Sequence, residues 1–579
     1  MSDRSTLSPM NIEQGRRKLQ AWLTSKPDNF FTSDLNLQRT LQRYLDDYQQ
    51  VEPHLAEFGE ICATLIDELA KEEDQLHNHP QLKRWSGVGE RIEQVEFHPH
   101  HDTSGKLIWQ SGLMAVQAEP GNTVYQMGLY YLLGHNGEAG HLCSLACTSG
   151  MIRVLQQVGH DYIQNKFLPL LLDKDYSQMN HAAQFLTEVQ GGSDVGANAV
   201  QAVEQHDGTW RISGEKWFCS NINAEQFLMT ARPEGAPDGT RGLGLFLVPR
   251  TLEDGSVNGF YIRRLKDKLG TRTLASAEAD FVDALAYPVG PLEDGFKNAV
   301  SLVLNTSRLL NAVACAGIMR RAYIEAAHYA CHRDAFGHSI AHYPLVQEAI
   351  ADLYSEAVAA MASSFFIAHL LDKIETGQAN KNEEQLFRLL VNINKYITSI
   401  RGTEMVHRAI EVLGGNGAIE SFSILPRLYR DLVVLESWEG THNVLCVQVL
   451  RDMQRYQIHL TLFAFIDTEL AKIEAERLQA DVKLVHQASD HLKQTILDMQ
   501  DRDDLAYAQA HIRRIVDNMA HLAQATLLLI ESDWELEQGV DTFKPIATTY
   551  FINRHLRADY NPMQDEDYLD RLARFVDLV

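Results

Sequence analysis

The chain has 579 residues, 45% of them apolar, and a formal net charge of -25. That length exceeds one ordinary core and predicts three or four domains, while the apolar content excludes wholesale disorder. Acidity spread along the whole chain disfavours nucleic acid, because a phosphate backbone repels such a protein unless a local basic face forms.

The first residues carry no apolar core of a signal peptide, and no apolar run reaches the roughly 18 residues needed to cross a bilayer. A soluble, cytoplasmic protein without membrane contact is expected. The seven cysteines are scattered, which implies reduced thiols. With no second Cys or His pair at ligand spacing beside Cys143 and Cys147, no metal site is expected.

From residue 11 to about 83 apolar residues recur three and four apart, a helical pattern. The stretch 97-FHPHHDTSG-105 breaks it with proline, glycine and turn formers. It also clusters His98, His100 and His101 with Asp102, for which a structural role is preferred over metal binding. Helical signals resume over 123–135 and 142–159.

Between about 183 and 285 the period changes. The run 199–218 alternates and carries Asp-Gly between two strand-like segments, a hairpin signal. Residues 242–249, 259–265 and 277–284 read as further strands, without the strand–helix alternation of a Rossmann unit. The G-x-G of 242-GLGLFL-247 lacks its third glycine and following helix, so it is no dinucleotide fingerprint. From Phe296 long apolar helices return over 311–333, 345–374 and 383–414, as in a bundle, and a further helical region follows Arg451. The expected domains are 1–182 helical, 183–290 β, 291–455 helical bundle and 456–579 additional helical.

Five short stretches could carry chemistry. In 185-FLTEVQGGSDVGANAV-200, paired glycines let backbone N–H groups approach an anion, and Thr187 and Ser193 offer hydroxyls; a turn capped by Asp194 is the alternative. In 214-GEKWFCSN-221, aromatic residues precede a hydroxyl; they suit either a core or a planar cofactor ring. In 332-HRDAFGHSI-340, Arg333 ends a helix and could reach a phosphate. The helix ending in 411-EVLGGNG-417 could simply stop there or bind an anion. Finally, 436-ESWEGTHNV-444 sets one carboxylate, Glu439, between Trp438 and Gly440, as a surface charge or a base held in a pocket.

Taken together and in this order, these motifs resemble the acyl-CoA dehydrogenase superfamily: TE-x-x-GGSD and G-x-KWF-x-S-N in a β domain, then R-x-x-FG, GGNG and WEGT in a helical domain. The match spans roughly residues 55–455. The forms 187-TEVQGGSDV-195, 264-RLKDKLGTRTLASAEADF-281, 425-LPRLYRD-431 and 438-WEGTHNVLCVQVLR-451, with the extra C-terminal domain, point to the AidB-like (alkylation-response) branch. The resemblance implies an α+β, mainly helical fold: an N-terminal helical domain, a β-barrel-like middle domain and a C-terminal four-helix bundle, plus the additional helical domain.

It implies FAD between the β domain and the bundle. By motif position, Phe185, Thr187, Gly192, Ser193, Phe218 and Ser220 line the cofactor, with Thr187 at the pyrimidine side and Ser220 at flavin N5. Gly414 and Gly415 close over the adenosine part, and Thr441 and Asn443 follow as polar contacts. Arg333 and Phe336 match the arm that reaches the FAD of a neighbouring subunit, so a homodimer or homotetramer is implied. Glu439 falls on the catalytic base. Relatives that carry the base on an earlier helix have it where this chain has Ser307, and serine cannot take that proton.

Ser193 is implied by the cofactor pyrophosphate or the acyl-CoA, Arg308 at the thioester end of the pocket, and an electron-transfer flavoprotein as acceptor. Phe218 and Ser220 replace the commoner Trp and Thr, as AidB-like members do. The activity implied is FAD-dependent α,β-dehydrogenation of an acyl-CoA. The alternative is a DNA-binding flavoprotein of the alkylation response with little such activity. Against DNA, residues 453–579 hold 13 Lys/Arg and 22 Asp/Glu. A basic stripe would have to come from Arg513, Arg514, Arg554 and Arg557.

Overall fold

A computed structural model describes residues 9–540 and 543–578. The N-terminal region is helical to residue 73, but it then forms an antiparallel hairpin, β1 (Gln81–Trp85) with β2 (Arg91–Glu96), which the helical periodicity had hidden. The stretch 97–105 after it is no break. Pro99 opens the helix Pro99–Gln110, and the His98 side chain accepts from the His100 amide as its cap. Proline at the first helical position costs nothing, because that N–H has no partner inside the helix. Helices Thr123–Gly134, Leu142–Val158 and Asp161–Leu172 follow.

The middle domain has seven strands: β3 (Ala182–Phe185), β4 (Gln201–Glu204), β5 (Trp210–Ser220), β6 (Gln226–Pro233), β7 (Gly244–Pro249), β8 (Phe260–Leu265) and β9 (Ser276–Pro288). The path β6-β4-β5-β9-β7 closes back on β6, making a barrel, with β3 added beside β6 and β8 beside β9. Closure leaves few strand edges unpaired. The predicted Asp-Gly hairpin is β4–β5, paired from Gln201–Ser213 to Glu204–Trp210. Alternating residues fill the interior, where Phe185, Phe227, Phe260 and Phe281 meet edge to face or tilted.

The bundle is built on Asn305–His332, Pro344–Glu375 and Lys381–Leu413, with Leu425–Leu435 and His442–Tyr456 closing it. A π-helical turn, Ala299–Leu304, leads into the first of these. Two bundle helices are apolar enough over 18 residues to cross a bilayer by composition, contrary to the sequence expectation. Their apolar windows are 89% and 72% buried within the protein, which marks them as core helices.

The remaining helices lie against the bundle's outer face and join it through buried charge. Asp352 binds Arg408, Arg554 and the Tyr550 hydroxyl, and His555 lies 2.6 Å from Glu356. Asp431 ties three domains together: its carboxylate accepts the amides of Thr271 (2.6 Å) in the β domain and Glu138 (3.1 Å) in the N-terminal domain. Beside it, Gly270 is so close to the Arg430 carbonyl that a Cβ there would overlap it.

Candidate active site

Two sequence motifs are joined by a buried ion pair. Lys216 Nζ lies 2.8 Å from Glu188 Oε1, both almost fully excluded from solvent. Glu188 also accepts the amides of Ala199 and Val200 and the Gln190 side-chain amide. A charge buried this way is tolerable only when its remaining lone pairs are satisfied. The pair fastens the Gly191-Gly192 loop to β5, and the Trp217 amide donates to the Thr187 carbonyl at 3.0 Å. Thr187, Phe218 and Ser220 are thereby gathered at one rim of the barrel. Glu188 and Lys216 were not singled out in the sequence, although both lie inside the quoted motifs.

At that rim Phe218 is 54% exposed. The Lys266 ammonium stands over both Phe218 and Trp217, at 4.7 Å and 3.6 Å from the ring centroids. Ser193 is exposed on its loop and Ser220 partly so. Gly414, at φ 61°, and Gly415 face open space at the C-terminal end of the bundle helix Lys381–Leu413. An uncovered aromatic face, orientable hydroxyls and glycines with nothing against them suit a flat, polar-edged cofactor with a phosphate tail. Phe185 is a correction: its side chain lies wholly in the barrel core against Phe227 and Phe281, so it offers no surface to a cofactor.

Glu439 lies in the turn between the helices Leu425–Leu435 and His442–Tyr456. It has φ 57°, a left-handed conformation that costs a residue with a Cβ about 1–3 kcal/mol. Side chains from two bundle helices hold the turn in place. Arg308 Nε donates to the Glu439 carbonyl at 3.0 Å, and its Nη1 is fixed by Asn305 and Asn392. Lys395 Nζ donates to the carbonyls of Glu436 (2.8 Å) and Gly440 (3.1 Å), and Asn311 donates to the Leu435 carbonyl. Of these only Arg308 was picked out from the sequence.

The electrostatics follow from burial. The Glu439 carboxyl is pushed up to about 7 by desolvation, which outweighs the opposing attraction of Arg308 and Lys395. Desolvation likewise lowers Arg308 to about 10 and Lys395 to about 8. Next door, Trp438 lies against Cys143, Cys147 and Leu274. Leu274 is two residues from Ser276, whose hydroxyl is 2.9 Å from that of Ser220. The carboxylate turn and the aromatic rim are thus neighbours.

Other predicted residues sit apart from this centre. Arg333 and Phe336 belong to a tight hairpin, β10 (Asp334–Ala335) with β11 (His338–Ser339), whose turn has positive φ at Phe336 and Gly337. Phe336 is 96% exposed, so the arm stands out from the chain that carries it. Thr441 begins a helix but makes no side-chain cap, leaving its hydroxyl available, and Asn443 is exposed. Ser307 is buried, its hydroxyl 3.5 Å from Gln184.

The histidine cluster is built into the core. His101 bonds Glu73 at 2.8 Å and stacks between Phe97 and His141. Among the described residues no group of three or more His, Cys, Asp or Glu side chains is placed to hold a metal ion. Of the four arginines considered for a basic stripe, Arg513 donates to Tyr396, Arg554 pairs with Asp352, Arg557 lies 3.3 Å from Asp559, and Arg514 contacts His511.

Comparison with known proteins agrees with this geometry. Residues 183–284 match the family model for the acyl-CoA dehydrogenase middle domain, and 293–454 that for its C-terminal domain. Residues 24–178 match the N-terminal domain of the adaptive response protein AidB. The chain is 32% identical to the putative acyl-CoA dehydrogenase AidB of Escherichia coli, over 65% of this chain and 70% of that one. It is 29% identical to acyl-CoA dehydrogenase family member 11 of Caenorhabditis elegans, over 86% and 84%. Among solved structures, C. elegans ACDH-11 in complex with C11-CoA superposes with a TM-score of 0.85 at 27% identity, covering 93% of each chain. An apo form of Bd2924 gives 0.79 at 31%, covering 88% and 98%.

Proposed function

Because the chain belongs to the AidB-like branch of the acyl-CoA dehydrogenase family, we propose that it oxidises an acyl-CoA thioester at its α and β carbons with Glu439 as base. FAD, the cofactor of this family, supplies the hydride acceptor at its N5. The observation that carries the reading is the carboxyl of Glu439, shifted up to about 7 by burial and fixed on a left-handed turn by Arg308 and Lys395.

An α C–H is a weak acid, and a water-exposed glutamate with a pKa near 4.3 is too weak a base for it. Desolvation makes Glu439 more basic while leaving about half of it ionised at neutral pH, the compromise general-base catalysis favours. The α proton passes to the Glu439 carboxylate, and the β hydrogen leaves with its electron pair, so two C–H bonds are exchanged for one C=C bond. Arg308 and Lys395 keep the carboxylate's backbone from relaxing during that transfer, and the charge they bring stabilises the ionised base. Trp438, Leu274 and the free thiols of Cys143 and Cys147 form an apolar cluster beside it that excludes water.

A C11-CoA complex of a structural relative supports an acyl-CoA as substrate, and the exposed Arg333–Phe336 arm supports a cofactor site completed by a second copy of the chain. Anaerobic titration with acyl-CoAs of short to medium chain, C11 included, tests the proposal. At least one should bleach the flavin absorbance, and E439Q should bind that ligand without bleaching. Full flavin loading with no bleaching across the panel refutes it. An electron-transfer flavoprotein is the acceptor expected on reoxidation.

The DNA-binding alternative predicts tight, steeply salt-dependent retardation of a duplex by the intact protein. The intramolecular partners of Arg513, Arg554 and Arg557 speak against it.

A further inference from the structure

We infer that Lys268 is a positioning residue for hydride transfer: it fixes the direction of the Ser276–Ser220 hydroxyl pair so that Ser220 presents its proton, and not a lone pair, to flavin N5. The inference rests on the proposed function for the placement of N5 at Ser220, and on the geometry for the rest.

Ser220 ends β5 and Ser276 begins β9, and the two residues are directly paired across the ladder. Their hydroxyl oxygens are 2.9 Å apart, a distance that by itself leaves either oxygen free to be the donor. Lys268, in the loop between β8 and β9, weights that choice. Its Nζ lies 3.0 Å from Ser276 Oγ and 2.7 Å from the Leu274 carbonyl. An ammonium has three protons and no lone pair, so Ser276 Oγ must accept from it.

Ser276 Oγ keeps a second lone pair, but among the described residues Ser220 Oγ is the acceptor within reach of its proton, and the arrangement that leaves no proton unused sends it there. Ser220, having accepted, has its own proton to give to whatever covers the rim. A chain of hydrogen bonds that begins at a cation polarises each member in turn, making the last donor a stronger one.

The charge state agrees. Desolvation brings Lys268 down to about 8, with Glu138, Cys143 and Asp431 acting in the opposite direction, so the amine is mostly protonated at pH 7. The bland role for Lys268 is to anchor its loop through the Leu274 carbonyl. That role does not require Ser276 to have a hydroxyl, and this separates the two.

The test uses the intact, FAD-loaded protein with S220A, S276A, S276T and K268M. The readouts are the flavin absorption spectrum and the equilibrium of two-electron reduction against a reference dye, neither of which needs a thioester. S220A should shift the spectrum and disfavour reduction about tenfold, equivalent to about 30 mV for a two-electron couple. S276A and K268M should reproduce most of that shift, S276T should restore the native values, and S220A/S276A should add little to S220A alone. If S220A shifts the flavin while S276A and K268M leave it native, the Lys268 relay is wrong and the proposed function stands. If S220A itself leaves the flavin unchanged, N5 is not at Ser220 and the placement taken from the proposed function fails with the relay.

Discussion

Replacing Glu439 by Gln should abolish flavin bleaching and, at alkaline pH, make the protein more stable. The carboxyl is raised from 4.5 to about 7 in the folded chain. A carboxyl raised on folding is one whose ionised form the fold disfavours. Stability is therefore highest below the unfolded pKa, falls as pH rises from 4.5 to about 7, and is flat beyond. At about 1.36 kcal/mol per pH unit, the shift corresponds to about 3 kcal/mol lost by pH 8.

Gln has nearly the shape of the protonated acid and cannot ionise, so the variant escapes that loss. The left-handed backbone is common to both proteins and cancels. Urea unfolding of wild type and E439Q should show little difference near pH 5 and a gain of up to about 3 kcal/mol for the variant at pH 8. A stability difference that stays constant between pH 5 and 8 refutes the claim that burial governs this carboxyl.

Further outcomes follow from the same contacts. K395M removes a positive charge that lowers the Glu439 pKa, so the midpoint of the pH–rate profile for flavin reduction should move to higher pH, with slower turnover throughout. K216M leaves Glu188 buried without its cation and should cost about 3–5 kcal/mol in chemical denaturation, whereas an E188L/K216M double variant should recover much of it. Ending the chain after residue 456 strips Asp352 of Arg554 and Tyr550 and uncovers the apolar bundle face, so the product should aggregate in sedimentation analysis.

The order of helical, β and helical domains was legible because the periodicity changes at its borders, and the β4–β5 hairpin because Asp-Gly allows few other turns. The β1–β2 hairpin was not, since Gln81–Trp85 is short and follows directly on helical spacing. Pro99 misled because proline stops a helix from within but opens one from its first turn. Thr187, Ser220 and Glu439 are residues of the proposed site that motif position already singled out. Their supports could not be read that way: Lys395, Asn311 and Lys268 matter through carbonyls and hydroxyls that only folding brings near them. Phe185 failed for a reason internal to strands, where neighbouring residues point to opposite faces and one position of error turns a rim residue into a core residue.

The carboxylate of Asp431 bears on how a substrate enters. It is buried where three domains meet, and each of its oxygens serves an amide from a different one. Swinging the β domain away from the bundle would strand the Thr271 amide and pull Gly270 off the Arg430 carbonyl. The Asp431 contacts therefore oppose such a swing, and under the proposed function an acyl chain would reach Glu439 with the β domain still seated on the bundle.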